Sequence, residues 1–362
     1  MGLVMVFSTS SAEILDQELD LSPRQALFKH LMYAIVGSGL AYGIGRAGVQ
    51  RLIRWSPLLL AFFTFLLVLV LVPGIGREVN GSKRWLHLFG FSFQPSEFVK
   101  YLVPLFVIHR LQGQNLAEMS LKAFLKLVAI AAVPLLLIVI EPNNGTTGVI
   151  GMTTLVVFLL MGVPSRYWAI PLLVGAVAAS LFAYQSNYVR GRLNVYLHPE
   201  LDLRGKGHQP YQAKIAAGSG QLWGKGVGNS LQKLSYLPEA QNDYIAAIFA
   251  EEFGFSGIVI LLSLYMTLIS TGFLLAFACP DRNGAIVGGF IAFLFGFQAF
   301  MNLGVVSGLL PSTGLNLPLF SQGGTSLMAN LAGLTLLFQA TQTGFQTEGG
   351  PPHDRSCPQY IR

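Results

Sequence analysis

The chain has 362 residues, of which 52% are hydrophobic and only 11% charged, and it carries a net charge of +6. Soluble globular domains carry about a quarter charged residues, so this balance excludes an ordinary water-soluble enzyme and points to a chain that crosses a membrane repeatedly. The positive charge does not argue for nucleic acid, because Lys and Arg are dispersed among loops rather than gathered on one face.

The opening run, "MGLVMVF", is apolar but far short of the ~20 residues that a crossing helix needs. It lacks the basic start and small-residue cleavage site of a signal peptide and reads as the end of a truncated first span. Apolar runs bounded by Pro, Gly or Arg then predict spans near 29–45, 57–73, 95–111, 123–140, 145–162, 167–185, 244–278, 285–308 and 323–343. The predicted fold class is therefore an all-α polytopic membrane protein, one domain over 1–343 with a large polar loop at 186–243. The remaining 344–362, with Gly-Gly-Pro-Pro near its middle, reads as a short disordered cytoplasmic tail.

Alternating crossings place short basic turns on one side, with Arg46, Arg51, Arg54, Arg110, Lys122, Lys126, Arg166 and Arg282, and that side is cytoplasmic by the positive-inside rule. The other side holds 10–28, 74–94, 141–144, 186–243 and 309–322, yet carries about as many cations. Arg77, Lys83, Arg84, Arg190, Arg192, Lys225 and Lys233 lie where a topology signal would not put them. An anionic substrate would call for them there, and so would lipid headgroups. Cys279 and Cys357 are the only cysteines and have no metal-ligand spacing around them, so no metal site is predicted from the protein's own side chains.

Four segments can carry chemistry. In "VPGIGREVNGSKRWLHLFGFSFQPSEFVKYLVP" a loop containing Trp85 leads into a helix that Pro95 can open as its first residue. Glu97 and Lys100 share a face of that helix, and Lys100, inside the span, needs a partner or a wet cavity. The pair either glues helices together or lines a polar cavity. The turn "IEPNNGTTG" joins two spans, with Glu141 at the membrane boundary, and most of it reads as a plain turn. In "AAGSGQLWGKGVGNSLQKLSYLPEAQND" the glycines fit neither a P-loop nor a dinucleotide fingerprint, but they leave Lys225 and Lys233 able to approach phosphate oxygens. In "SYLPEAQNDYIAAIFAEEFGFSG" Asn242 is expected to cap a helix and to put Asp243 in its first turn, where the dipole favours an anion. That is consistent with plain capping and with a general base. Glu251, about two turns deeper, reads as a buried or cavity-facing partner.

The stretches "GREVNGSKRW", "FQPSEFVK", "YLPEAQND" and "GLLPSTGLNLPLFSQGGTS" stand in the order and spacing of the shape, elongation, division and sporulation family of bacterial membrane proteins, and nearly the whole chain resembles that family. The wording "EVNGSKRW" and "LPEA" is similar to its division branch more than to its elongation branch. The resemblance implies ten membrane helices and polymerisation of lipid II, an undecaprenyl-pyrophosphate-linked disaccharide pentapeptide, into glycan strands at the outer face of the bacterial cytoplasmic membrane. It implies work with a class B penicillin-binding transpeptidase among other division proteins.

By the same resemblance Asp243 is the catalytic residue, and the candidate substrate-binding residues are Arg190, Arg192, Lys233, Lys100, Glu97, Trp85 and Glu239, the last as a loop-positioning group. A divalent cation such as Mg²⁺ is compatible, since it binds largely through substrate phosphates. Asn143 stands where the family usually has Asp in "PDxGT", which removes a competing carboxylate and leaves Asp243 the stronger catalytic candidate, and Gln322 stands where it usually has Tyr in "SYGG". The rival expectations are a lipid II flippase, which should concentrate charge near the bilayer midplane, and a non-catalytic scaffold, which would not need Asp243.

Overall fold

The structure, a computed structural model, describes residues 1–6, 8–9, 23–79, 82–88, 90–185, 191, 195–198, 207–232 and 241–346. Helices α1 (Pro23–Ala47), α2 (Val49–Leu71), α3 (Ser96–Leu111), α4 (Leu121–Ile140), α5 (Asn144–Met161) and α6 (Ser165–Gln185) follow the predicted runs in order. After the large loop and its helix α7 (His208–Ser219) come α8 (Ile245–Ala278), α9 (Arg282–Val306) and α10 (Gly324–Gln346). Among the described residues, α2, α4, α5, α8 and α9 are long and apolar enough to cross a membrane. The chain is a multi-pass, predominantly helical membrane protein.

The boundaries move outward where polar residues extend a helix beyond its apolar run. Thus α2 begins at Val49 and takes in Arg51, Arg54 and an internal Pro57. Pro104, Pro134 and Pro171 also lie inside helices, as membrane helices tolerate when neighbours re-satisfy the freed carbonyls. The stretch 2–6 is helical, with Met5 and Val6 buried among Ile245, Phe249, Leu317 and Phe320.

Two helices form the centre. Nearly every residue of α3 is buried, and α9 is buried over most of its length. By contrast Leu58, Phe62 and Phe65 of α2, Leu125 and Leu136 of α4, Leu173 and Val174 of α6, and Leu274 and Phe277 of α8 are exposed. An outer ring of exposed apolar side chains around polar-bearing central helices is the pattern that a lipid solvent selects. The principal packings are α1 on α10, α8 on α9, α2 on α3, α9 on α10 and α3 on α5.

One element is not helical. The loop between α2 and α3 folds into a three-stranded antiparallel sheet, β1 (Gly76–Val79), β2 (Ser82–Leu88) and β3 (Phe91–Phe93), in the order β1-β2-β3. Trp85 pairs with Arg77, and a register shift separates Arg77 from Glu78. The sheet is tied to the bundle through Ser92: the Tyr33 hydroxyl donates to its carbonyl at 2.8 Å, and Thr325 donates there too at 3.1 Å. The sequence reading of a Gly-rich polar loop did not reveal these strands, because they are short and β1 and β2 carry adjacent charged residues that interrupt an apolar alternation.

A second departure lies in α8. Its predicted continuous run is broken at Gly254, whose φ of 67° and ψ of −164° are not helical. The break leaves backbone groups without helical partners, and the chain after α7 supplies them. Lys225 N donates to Glu251 O at 2.9 Å and Gly226 N to Glu252 O at 3.0 Å, while Phe255 N and Ser256 N donate to Gln221 O and Leu222 O at 2.8 and 3.1 Å. The loop is thus hydrogen-bonded into the break, which divides α8 into a short first half and a long second half. A Cβ at Gly254 would collide with the backbone of Gly224 and Leu222. Gly254→Ala is therefore expected to destabilise the protein by about 1–3 kcal/mol or more, read as a lowered midpoint of thermal unfolding in detergent, whereas alanine at exposed Gly39, which meets no atom, leaves that midpoint unchanged.

Candidate functional site

Polar side chains on the two central helices organise the site. Gln298 and Asn302 stand four apart on α9 and so share a face. Asn302 Nδ2 donates to Leu315 O at 2.7 Å and to Asp243 O at 2.9 Å; Gln298 Nε2 donates to Asn316 O at 2.9 Å. The segment between α9 and α10 has no regular hydrogen-bonded structure of its own over 311–317, and these two amides supply donors to its carbonyls. Irregular backbone at this depth requires such partners, since each unpaired buried group costs about 1–3 kcal/mol.

Beneath Gln298 lies Lys100, 1% exposed, whose Nζ donates to Gln298 Oε1 at 3.1 Å and to Glu97 Oε2 at 2.8 Å. Glu97, Lys100, Gln298 and the 315–316 backbone therefore form one connected polar network, and through Asn302 it reaches the main chain of Asp243. Both members of the pair are buried, and Lys100 joins their helix α3 to α9 through Gln298.

Asp243 is half-buried and sits in the turn 241–244, just before α8, which starts at Ile245 with Tyr244 as its cap residue. The expected first-turn position capped by Asn242 is thus displaced: the structure puts Asp243 two residues ahead of the helix. The physical reason is that its carbonyl is held by Asn302 on another helix, and Gln241 O accepts from Gln322 N at 2.9 Å. Those tertiary bonds set the turn where local capping would have extended the helix. Gly314, at a φ of 71°, lies against the carboxylate, since a Cβ there would stand 3.7 Å from Oδ2. Gly145 in turn packs on Thr313 and Leu315, so the turn after α4 borders the same segment.

That turn holds a residue the sequence did not single out for chemistry. Glu141 is 1% exposed and neither carboxyl oxygen has a hydrogen-bond partner. Arg84 of β2 binds the backbone instead, donating from Nε to Glu141 O at 3.0 Å and from its terminal nitrogen to Pro142 O at 2.5 Å. Burial pushes the Glu141 carboxyl up to about 8, with the Arg84 charge opposing the rise. Asn143 is also buried, with its Nδ2 unpaired. The overlooked residues Gln298 and Asn302 did leave a signal, namely two amides one turn apart within an apolar span.

Trp85 is half-buried in β2, away from the Lys100 network in the chain's hydrogen bonding. Arg190, Arg192, Lys233 and Glu239 lie outside the described residues. Among the described residues no three His, Cys, Asp or Glu side chains stand together as a metal site; a cation near Asp243 would take most of its ligands from substrate phosphates.

The family model described as cell cycle protein, FtsW/RodA/SpoVE, matches residues 1–344. A probable peptidoglycan glycosyltransferase FtsW of Coxiella burnetii is 38% identical over 345 residues, covering 94% of this chain and 92% of that one. Its counterpart in Thioalkalivibrio sulfidiphilus is 39% identical over 365 residues, covering 97% and 88%. Among solved structures, a chain of a peptidoglycan synthase complex that coordinates polymerization and crosslinking aligns with a TM-score of 0.74 at 30% identity, covering 95% of this chain and 98% of that one. The rod-shape-determining protein RodA of Thermus thermophilus aligns with a TM-score of 0.66 at 30% identity, covering 95% and 97%.

The unpartnered carboxyl gives a pH prediction. A carboxyl raised from 4.5 to about 8 on folding contributes stability that is fully present below the unfolded value and is lost as pH rises through the folded one. Stability should therefore fall between pH 5 and 9 in the wild type, by a few kcal/mol at most, read as a falling thermal midpoint, and Glu141→Gln should flatten that part of the profile.

Proposed function

Because the chain belongs to the FtsW/RodA/SpoVE family of cell cycle proteins, we propose that it is a peptidoglycan glycosyltransferase that polymerises lipid II into glycan strands, with Asp243 as its catalytic base. The glycosyltransferase activity follows from relatives of that name along nearly the whole chain. The observation that carries the assignment to Asp243 is its anchorage: its carbonyl is bound by Asn302, its carboxylate faces Gly314, and its turn is tied to Gln322. The residue is half-buried.

In the proposed reaction Asp243 takes the proton of the acceptor sugar hydroxyl as that oxygen attacks the anomeric carbon of the second sugar. The new C–O bond forms as the bond to the lipid pyrophosphate breaks, with inversion, and the leaving group departs with the bonding electron pair. General-base help of this kind is worth about 100- to 10,000-fold in rate. Arg190, Arg192 and Lys233 would neutralise the departing pyrophosphate through charge-assisted hydrogen bonds. Mg²⁺ carried on that pyrophosphate would add to the neutralisation. Confinement of two lipid-tailed substrates to one membrane limits their orientations and supplies a further part of the rate.

The cations of the polar loops, with Asp243, support an active site on the extracytoplasmic side of the bacterial cytoplasmic membrane. The engagement of Lys100 with Glu97 and Gln298 supports surface chemistry over a transport path, because it leaves that buried charge committed to the bundle. A crosslinking partner of the penicillin-binding class, in line with the coordination of polymerization and crosslinking in the similar synthase complex, and a septal rather than an elongation role complete the proposal.

The test is polymerisation of purified lipid II by the chain with its transpeptidase partner, resolved on a gel. Asp243→Ala and Asp243→Asn should each lose at least about 100-fold in rate while remaining monodisperse; a rate within twofold of wild type for Asp243→Ala would sink the assignment.

A further inference from the structure

The acid two turns inside α8 has more partners than any role in the bundle core requires. Glu251 is fully buried, yet its carboxylate gathers five donors from one stretch of the preceding loop. Oε1 accepts from Lys225 Nζ at 2.6 Å, Ser219 Oγ at 3.2 Å and Leu231 N at 3.3 Å. Oε2 accepts from Ser230 Oγ at 2.5 Å and Gln232 N at 3.3 Å. Ser219 ends α7, and Gln232 directly precedes Lys233. One carboxylate therefore holds both ends of the turn 219–232.

The backbone adds a second set of bonds at the same place. The turn is threaded into the break at Gly254, with Lys225 N and Gly226 N on the carbonyls of Glu251 and Glu252. A Cβ at Gly220 or Gly224 would collide with the carbonyls of Ala250 and Glu252, so the close approach depends on glycine. The short first half of α8, capped by the turn that bears Asp243, is thereby clamped at its far end. Gln232 and Asp243 are thus both held to one half-helix, the former through Glu251 and the latter at the start of α8.

We propose that Glu251, with Lys225, is a positioning residue for the glycosyl transfer: it fixes the turn 219–232 against the half-helix whose start bears Asp243. Glu251 stands eight residues beyond Asp243, roughly 12 Å along a helix axis, so it does not touch the reacting atoms. A neutral isostere keeps the volume but weakens the charge-assisted bonds that fasten the turn. The proposal rests on the catalytic reading of Asp243 and deepens it, since the loop and the acid are then two halves of one rigid unit.

The experiment uses the full chain with its transpeptidase partner and measures lipid II polymerisation per folded, monodisperse molecule, together with hydrogen exchange over 219–232. Glu251→Gln should lower kcat by about 10- to 100-fold, as small misplacements near a reacting centre do, with KM for lipid II within about threefold because the interaction lost acts in the transition state. Exchange at 225–232 should quicken. Lys225→Met, which removes a part-exposed donor and so leaves the core intact, should give the same two changes in smaller measure, and the double variant should be no slower than Glu251→Gln alone. A purely structural role would lower the folded yield and leave kcat per folded molecule unchanged; that result overturns the proposal. So does a fall in kcat with no change in exchange. Should Glu251→Gln fail to fold, unchanged kcat and exchange in Lys225→Met overturn it equally. Wild-type rates for Glu251→Gln beside an inactive Asp243→Ala would remove only the positioning role, whereas an active Asp243→Ala would remove the catalytic reading beneath it.

Discussion

Backbone that leaves regular structure inside a membrane bundle must still find hydrogen-bond partners, and the site is arranged around that requirement. At the segment after α9, the carbonyls of Leu315 and Asn316 are met by Asn302 and Gln298. At Gly254, the groups released by the break in α8 are met by the loop after α7. In both places the partners are drawn from elements far away in sequence, so satisfying the backbone also joins elements. Asp243 lies at the first of these joins, and the second clamps the far end of the half-helix that follows it.

The polar network below it obeys the same rule for charge. An ammonium at the depth of Lys100 is tolerated because Glu97 neutralises it and Gln298 completes its bonding. Gln298 is thereby held in the orientation that directs its own amide at Asn316. The ion pair is thus an indirect support of the floor on which Asp243 stands, and it ties α3, the most enclosed helix, to α9. Glu141 is the contrasting case: with no donor to its carboxyl it holds a proton near neutral pH, and Arg84 serves the surrounding carbonyls.

The break in α8 gives the long helix two functions. Its second half is an outward-facing apolar rod that suits lipid, while its first half is buried and carries the turn of Asp243 at one end and the Glu251 clasp at the other. Gly254 permits the separation because its positive φ and the adjacent Gly224 backbone leave no room for a side chain. In the proposed reaction, holding the acid and the turn 219–232 on one short element would fix their mutual placement.

Composition and apolar run length were enough to determine a multi-pass helical protein, the order of its helices and their approximate bounds, because lipid imposes a helix on any sufficiently long apolar run. Motif order was enough to identify the family and to bring Asp243 forward. Tertiary structure alone decided that Asp243 precedes its helix, that the loop after α2 pairs into three strands, that α8 is broken at Gly254, and that Glu251 fastens a loop from 219 to 232. Except for the strands, whose ladder partners lie 3 to 10 residues apart, each of these depends on hydrogen bonds between residues tens of positions apart, and local periodicity carries no record of such partners. Gln298 and Asn302 lie between the two cases: their polarity within an apolar span was visible, but which carbonyls they serve was settled only when α9 packed against α3 and the start of α8.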